Sequence, residues 1–220
     1  ANTVGSGPIS IVANNVTSTA GKGILATNTS ASANSANISV LVNANKLVNA
    51  TGGNGIETNL GVSTGTATVT INGEVTATGF IGVKQTSLGG TNVVNVSGTG
   101  KIDPITGVSQ STTTGANIVN NSGLITGTSV GVQQSATTTG TNAVDNFGTI
   151  TGTSNEGVLV TGVDGSSQVA SYVGSFINGG TDAVSITTTG KRICKLAMES
   201  ALAAPVSCNA IKKSDAVRTP

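Results

Sequence analysis

The sequence predicts an all-β fold: a right-handed parallel β-helix, or β-solenoid, of about seven coils across residues 1–190. Three observations carry that prediction. A small residue followed by Ile or Val recurs at near-constant spacing. Short β-branched runs alternate with clusters of Gly, Asn, Ser and Thr. No segment of this body holds a convincing helical period.

The recurrence falls at Gly23-Ile24, Gly55-Ile56, Gly82-Val83, Gly107-Val108, Gly131-Val132, Gly157-Val158 and Ala183-Val184, in steps of 32, 27, 25, 24, 26 and 26. The best-matched coils begin at Val69, Ile118 and Ala143. Each has an apolar pair leading into Asn and Gly, then an apolar-Thr-(Ala or Gly)-Thr step, then a third strand starting at Gly-Val. One such rung cannot bury its apolar side alone, whereas stacking at about 4.8 Å supplies ladder partners and a continuous interior. Ile71, Val96, Val119, Val144, Val75, Ile125, Ile150, Val83, Val132 and Val158 are the expected inward stack.

Turn positions follow from the same alignment. Gly73, Gly98, Gly123 and Gly148 recur at steps of 25, as expected of turns that need positive φ. Asn72, Asn121 and Asn146 precede three of them, and stacked amides there can hydrogen-bond from rung to rung. The Thr112–Gly115, Thr137–Gly140 and Thr187–Gly190 stretches read as solvent-facing strand ends or turns along one edge. The two longest steps place excursions near Ser30–Asn37 and Lys46–Asn54, where binding loops would reside.

Composition narrows the function classes. Charged residues make up 9% and aromatics 2% of the chain, with 31 glycines. Lys22, Lys46, Lys84 and Lys101 face seven acids in residues 1–190, a balance of −3, which offers no stripe for a phosphate backbone and predicts no nucleic-acid partner. There is no histidine, so a Ser–His–Asp triad is excluded. Protease GDSGS-type, GxSxG and GxxxxGK[ST] motifs and the GGxGxDxUx calcium repeat are all missing. The acids Glu57, Glu74, Asp103, Asp145, Glu156, Asp164 and Asp182 stand mostly one per coil; Asp145 and Asp182 are the pair that could face one groove. No catalytic, cofactor or metal site is expected. No signal peptide or membrane-length apolar stretch appears, and a start at Ala1 reads as a processed fragment.

The cadence from Asn120 to Val160 (NNSGLITGTSVGV … NFGTITGTSNEGVLV) resembles the passenger domains of Gram-negative autotransporters, the type V secretion family, over residues 5–190. The resemblance implies a rod displayed on the bacterial surface or released, acting in adhesion, self-association or binding of a host cell-surface or matrix molecule. It implies membrane attachment only through a C-terminal β-barrel that is not among these residues. A released host-acting effector or signalling ligand is the nearest alternative. Thr76/Thr78, Thr126/Thr128 and Thr151/Thr153 raise an ice-binding Thr ladder, interrupted at Lys101–Ile105, and carboxylates would be needed for a polysaccharide-acting β-helix enzyme.

Residues 191–220 break the cadence. Six basic residues against Glu199 and Asp215 give a balance of +4, and both cysteines, Cys194 and Cys208, lie here as a candidate disulfide. Ile193, Leu196, Ala197 and Ala201 have helical spacing, with Pro205 as a stop, so the tail reads either as a short capping helix or as a non-native segment.

Overall fold

A computed structural model of the chain describes residues 2–3, 7–28, 37–61, 64–163, 165–196, 201–202 and 206–207. Its strands pair in parallel throughout, each with the strand about one rung away, in a single 21-stranded sheet wound into a β-solenoid of about six turns. The seven small-apolar recurrences therefore enclose six steps rather than marking seven complete coils.

Three strand positions make up a rung. The first carries Thr66–Ile71, Thr91–Val96, Ala116–Asn121 and Thr141–Asn146 in direct register. The second includes Leu124–Gly127, Thr149–Gly152 and Phe176–Gly179. The third aligns Ile24, Ile56, Val83, Val108, Val132, Val158 and Val184. Four strands, Ile9–Ser18, Ile38–Ala50, Glu74–Ser87 and Lys101–Thr112, run on through a corner.

Alternation of β-branched and polar residues puts one side of the strands from Ile9–Ser18 to Val184–Thr188 inside. All ten residues of the expected inward stack are at most 2% exposed. Burying one such Val or Ile is worth about 1.5–3 kcal/mol. A one-residue slip would turn every column outward, so the interior also fixes the register.

The glycine of the Gly-Val recurrence has a steric cause. A Cβ on Gly55 would lie 2.7 Å from the Gly82 carbonyl oxygen, on Gly82 2.8 Å from that of Gly107, and on Gly131 2.6 Å from that of Gly157. Neighbouring rungs thus approach backbone to backbone at this corner, and Ala183 ends the column.

Gly73, Gly98, Gly123 and Gly148 also stand at a corner, but none has positive φ; among the described glycines only Gly65, Gly79 and Gly174 do. Crowding explains three of the four instead. A Cβ would meet the Lys46 and Asn43 carbonyls at Gly73, those of Ser97 and Gly100 at Gly123, and that of Gly123 at Gly148, whereas the nearest atom at Gly98 is 3.9 Å away.

The described part of the tail is strand, not the helix its spacing suggests. Arg192–Leu196 is a strand paired in parallel with Ser167–Ser171, and Ala201–Leu202 pairs with Phe176 and Ile177. Ladder hydrogen bonding to an exposed last rung outweighs a helical spacing only a few residues long. Residues 197–200 and Cys208 lie outside the described residues, as do the side chain of Cys194 and most of the Ser30–Asn37 excursion.

Candidate functional site

Polar side chains inside the rod form amide ladders. Gln110 Nε2 donates to Gln85 Oε1 at 2.8 Å and Gln134 Nε2 to Gln110 Oε1 at 2.7 Å. A second ladder runs the opposite way: Asn92 Nδ2 donates to Asn117 Oδ1 and Asn117 Nδ2 to Asn142 Oδ1, both at 2.9 Å. Each ladder leaves one acceptor over at its end. Gln134 Oε1 faces the register position of Val160, and Asn92 Oδ1 that of Ala67; both are buried without a partner. These amides build the scaffold, because buried polar groups are tolerated when their bonds are made.

Asn121 and Asn146 belong to this interior. They pair at 2.8 Å, rung to rung, and each also accepts a backbone N–H, from Gly123 and Gly148. Register aligns Asn121 with Val96, so Asn72 is not their equivalent; it sits one residue further on, partly exposed, beside Ser97. The Thr-rich edge is also partly internal. Thr112 and Thr188 are buried, and their hydroxyls accept the N–H groups of Gly115 and Gly190.

Outside the rod, Asp145 and Asp182 are not brought together: Asp145 lies on the first strand and accepts the Tyr172 hydroxyl at 3.3 Å, while Asp182 sits in the corner before Val184. The Asp145 charge, with some desolvation, pushes the Tyr172 phenol above its usual range. Glu74 and Asp103, on adjacent rungs, do converge. Lys101 Nζ lies 3.0 Å from Glu74 Oε1 and 3.2 Å from Asp103 Oδ2, and these bonds hold its pKa above the ordinary value. Lys22 pairs with Glu57 at 2.9 Å. Burial pushes the Glu57 carboxyl up, but bonds from Lys22 and Asn54 outweigh it and leave the pKa lowered.

The threonine columns are short. Thr76 stands opposite Asn49 and Asp103, and Thr151 opposite Thr126 and Asn178. Among the described residues no group of three or more His, Cys, Asp or Glu could hold a metal ion.

Two surface features stand out at the corner between first and second strands. One is a groove of about 290 Å³ lined by Asn45, Lys46, Leu47, Gly73, Glu74, Thr99 and Lys101. The other is aromatic: Phe147 and Tyr172 stack at 4.0 Å with 6° between planes, and Val173 and Phe176, which follow Tyr172 in the chain, are exposed as well. A step of 25 from Phe147 to Tyr172 is the signal that would have paired them in the sequence. Comparison with protein-family models, curated proteins and solved structures finds no match for this chain.

Proposed function

We propose that the chain is a non-catalytic, right-handed β-helical rod, secreted or displayed on a bacterial surface in the manner of an autotransporter passenger, that acts by adhesion to a host surface molecule. Right-handedness follows the general preference of parallel crossovers in one sheet. One observation carries the adhesive reading. Every aromatic side chain of this protein is on the surface: Phe80 is 42% exposed, Phe147 54%, Tyr172 39% and Phe176 46%. The core is built from Val, Ile, Ala and Leu60 without them. Aromatic side chains exposed together are characteristic of binding surfaces, where they supply large contact area at low entropic cost. The buried amides, by contrast, are mostly spent on ladders, and the Lys101 ammonium lies between the convergent acids Glu74 and Asp103.

The test is retention of fluorescently labelled full-length chain on cultured animal cells and on deposited matrix. We expect retention above that of an inert protein of equal size, and roughly a tenfold loss in the Phe147→Ala/Tyr172→Ala double variant, as for removal of about 1.4 kcal/mol of contact. Retention no better than the inert protein would sink the adhesive reading. Sedimentation velocity separates self-association from binding to the surface.

A further inference from the structure

The groove at the first corner has an origin in the register. Ile71 pairs with Val42 and Glu74 with Leu47, so residues 72–73 turn a corner that residues 43–46 turn on the preceding rung. On the following rung Val96 pairs with Ile71 and Lys101 with Glu74, so residues 97–100 make the same turn. A two-residue corner is thereby flanked by four-residue corners on both sides. The missing residues are the notch, with Gly73 and Glu74 as its floor and 45–47 and 99 as its walls.

Both walls are held in place. Asn43 Nδ2 donates to Asn14 Oδ1 at 2.9 Å, and the Leu47 N–H donates to Asn15 Oδ1 at 3.2 Å. Asn45 adopts a left-handed φ of 59°, uncommon for a residue other than glycine and tolerated best by Asn. Opposite, Thr99 Oγ1 donates to the Asn72 carbonyl at 2.9 Å, and the Gly100 N–H closes the turn on Ser97 O. The floor must be glycine, since a Cβ on Gly73 would strike the Lys46 and Asn43 carbonyls.

The charges differ from wall to wall. Lys101 is bound by Glu74 and Asp103, whereas Lys46 has no ion-pair partner among the described residues. The notch thus offers one free cation, carboxylate and amide groups able to bond hydroxyls, and the exposed side chain of Leu47 as an apolar face. Its volume is at the low end of ligand pockets, about 300–1,000 Å³, which suits one ring-sized unit.

We propose that this notch binds a saccharide unit bearing a carboxylate, the acid pairing with Lys46 and the ring hydroxyls with Glu74, Asn45 and Thr99 while the ring's C–H face lies on Leu47. Inorganic phosphate would bring up to two negative charges beside Glu74 and Asp103 and has no C–H face to lay on Leu47. A neutral sugar would leave Lys46 unused. The inference rests on the adhesive reading but names a different surface from the aromatic corner, so the two fail separately.

The test uses the full chain and two fluorescein-labelled tetrasaccharides, one of alternating glucuronate and N-acetylglucosamine, the other of N-acetylglucosamine alone, titrated by fluorescence anisotropy at low salt. We expect the acidic sugar to bind at least tenfold more tightly. Lys46→Met should erase that preference, Lys46→Arg should keep it, and Lys84→Met on the third strand should leave it unchanged. Thr99→Leu, on the opposite wall, should weaken both sugars severalfold, with circular dichroism confirming the fold of each variant. Equal affinity for the two sugars, no binding of either, or a preference that survives Lys46→Met would overturn the proposal. Cell retention that persists in Lys46→Met leaves adhesion standing without the notch.

Discussion

Gln110 and Gln134 are both fully buried members of one ladder, yet their loss should differ in cost. Gln110→Leu removes three hydrogen bonds: to Gln85 Oε1, to Ile118 O, and from Gln134 Nε2. It strands Gln85 Oε1, which has no other partner among the described residues, while the Gln134 acceptor is already unpaired. An additional buried orphan costs about 1–3 kcal/mol, and the lost bonds add roughly 1 kcal/mol beyond what the leucine's burial returns, for a total of about 2–4 kcal/mol. Gln134→Leu removes two bonds but also removes the orphaned Oε1, leaving Gln110 Oε1 in its place. The number of orphans is unchanged and the leucine packs beside Val160, so the cost should be about 1 kcal/mol or less. Urea unfolding followed by far-UV circular dichroism measures both, provided the slope with denaturant stays the same. A Gln134→Leu variant as unstable as Gln110→Leu, or more so, would refute the ladder argument.

Two further predictions concern the backbone and pH. Gly107→Ala puts a methyl 2.5 Å from Ile125 Cγ2 and against the Gly131 carbonyl, and should cost about 3 kcal/mol or more; Gly98→Ala, with its nearest atom at 3.9 Å, should be neutral or stabilise by about 0.5 kcal/mol. Paired thermal melts separate the two. Because the Glu57 pKa is lowered on folding, its contribution is present above the unfolded value near 4.5 and disappears as pH falls through the lower folded value. Wild type should therefore lose stability relative to Glu57→Gln only in that acid range, and parallel pH–stability curves for the two proteins would remove the effect.

The repeat was legible because each rung repeats the same steric demand. Gly-Val marks the corner where backbones touch, and the Val and Ile columns show through the alternation of short strands. The amide ladders were legible in principle: Asn92, Asn117 and Asn142 recur at 25, and Gln85, Gln110 and Gln134 at 25 and 24. Isolated Asn and Gln nonetheless read as surface residues, and only register shows that these face inward. Asn72 shares a glycine with Asn121 and Asn146 in the sequence but not a place in the rung: it stands directly before Gly73, whereas they stand two residues before Gly123 and Gly148 and align with Ile71. The variation in corner length, invisible without strand pairing, makes the notch. The tail misled for a local reason, since Ile193 and Leu196 fit a helix until the Ser167–Ser171 edge is available to pair with them.

Register itself can be measured directly. Leu25, Glu57, Lys84, Ser109, Gln133, Leu159 and Ser185 occupy one outward column of the third strands, so Leu25 and Ser185 stand six rung steps apart. At about 4.8 Å per step their separation is roughly 29 Å. Spin labels at Leu25→Cys and Ser185→Cys, in a background with Cys194→Ser and Cys208→Ser, should give a narrow distance distribution centred near that value by pulsed dipolar spectroscopy. A broad distribution, or a centre displaced by more than about two rung spacings, roughly 10 Å, would contradict the solenoid.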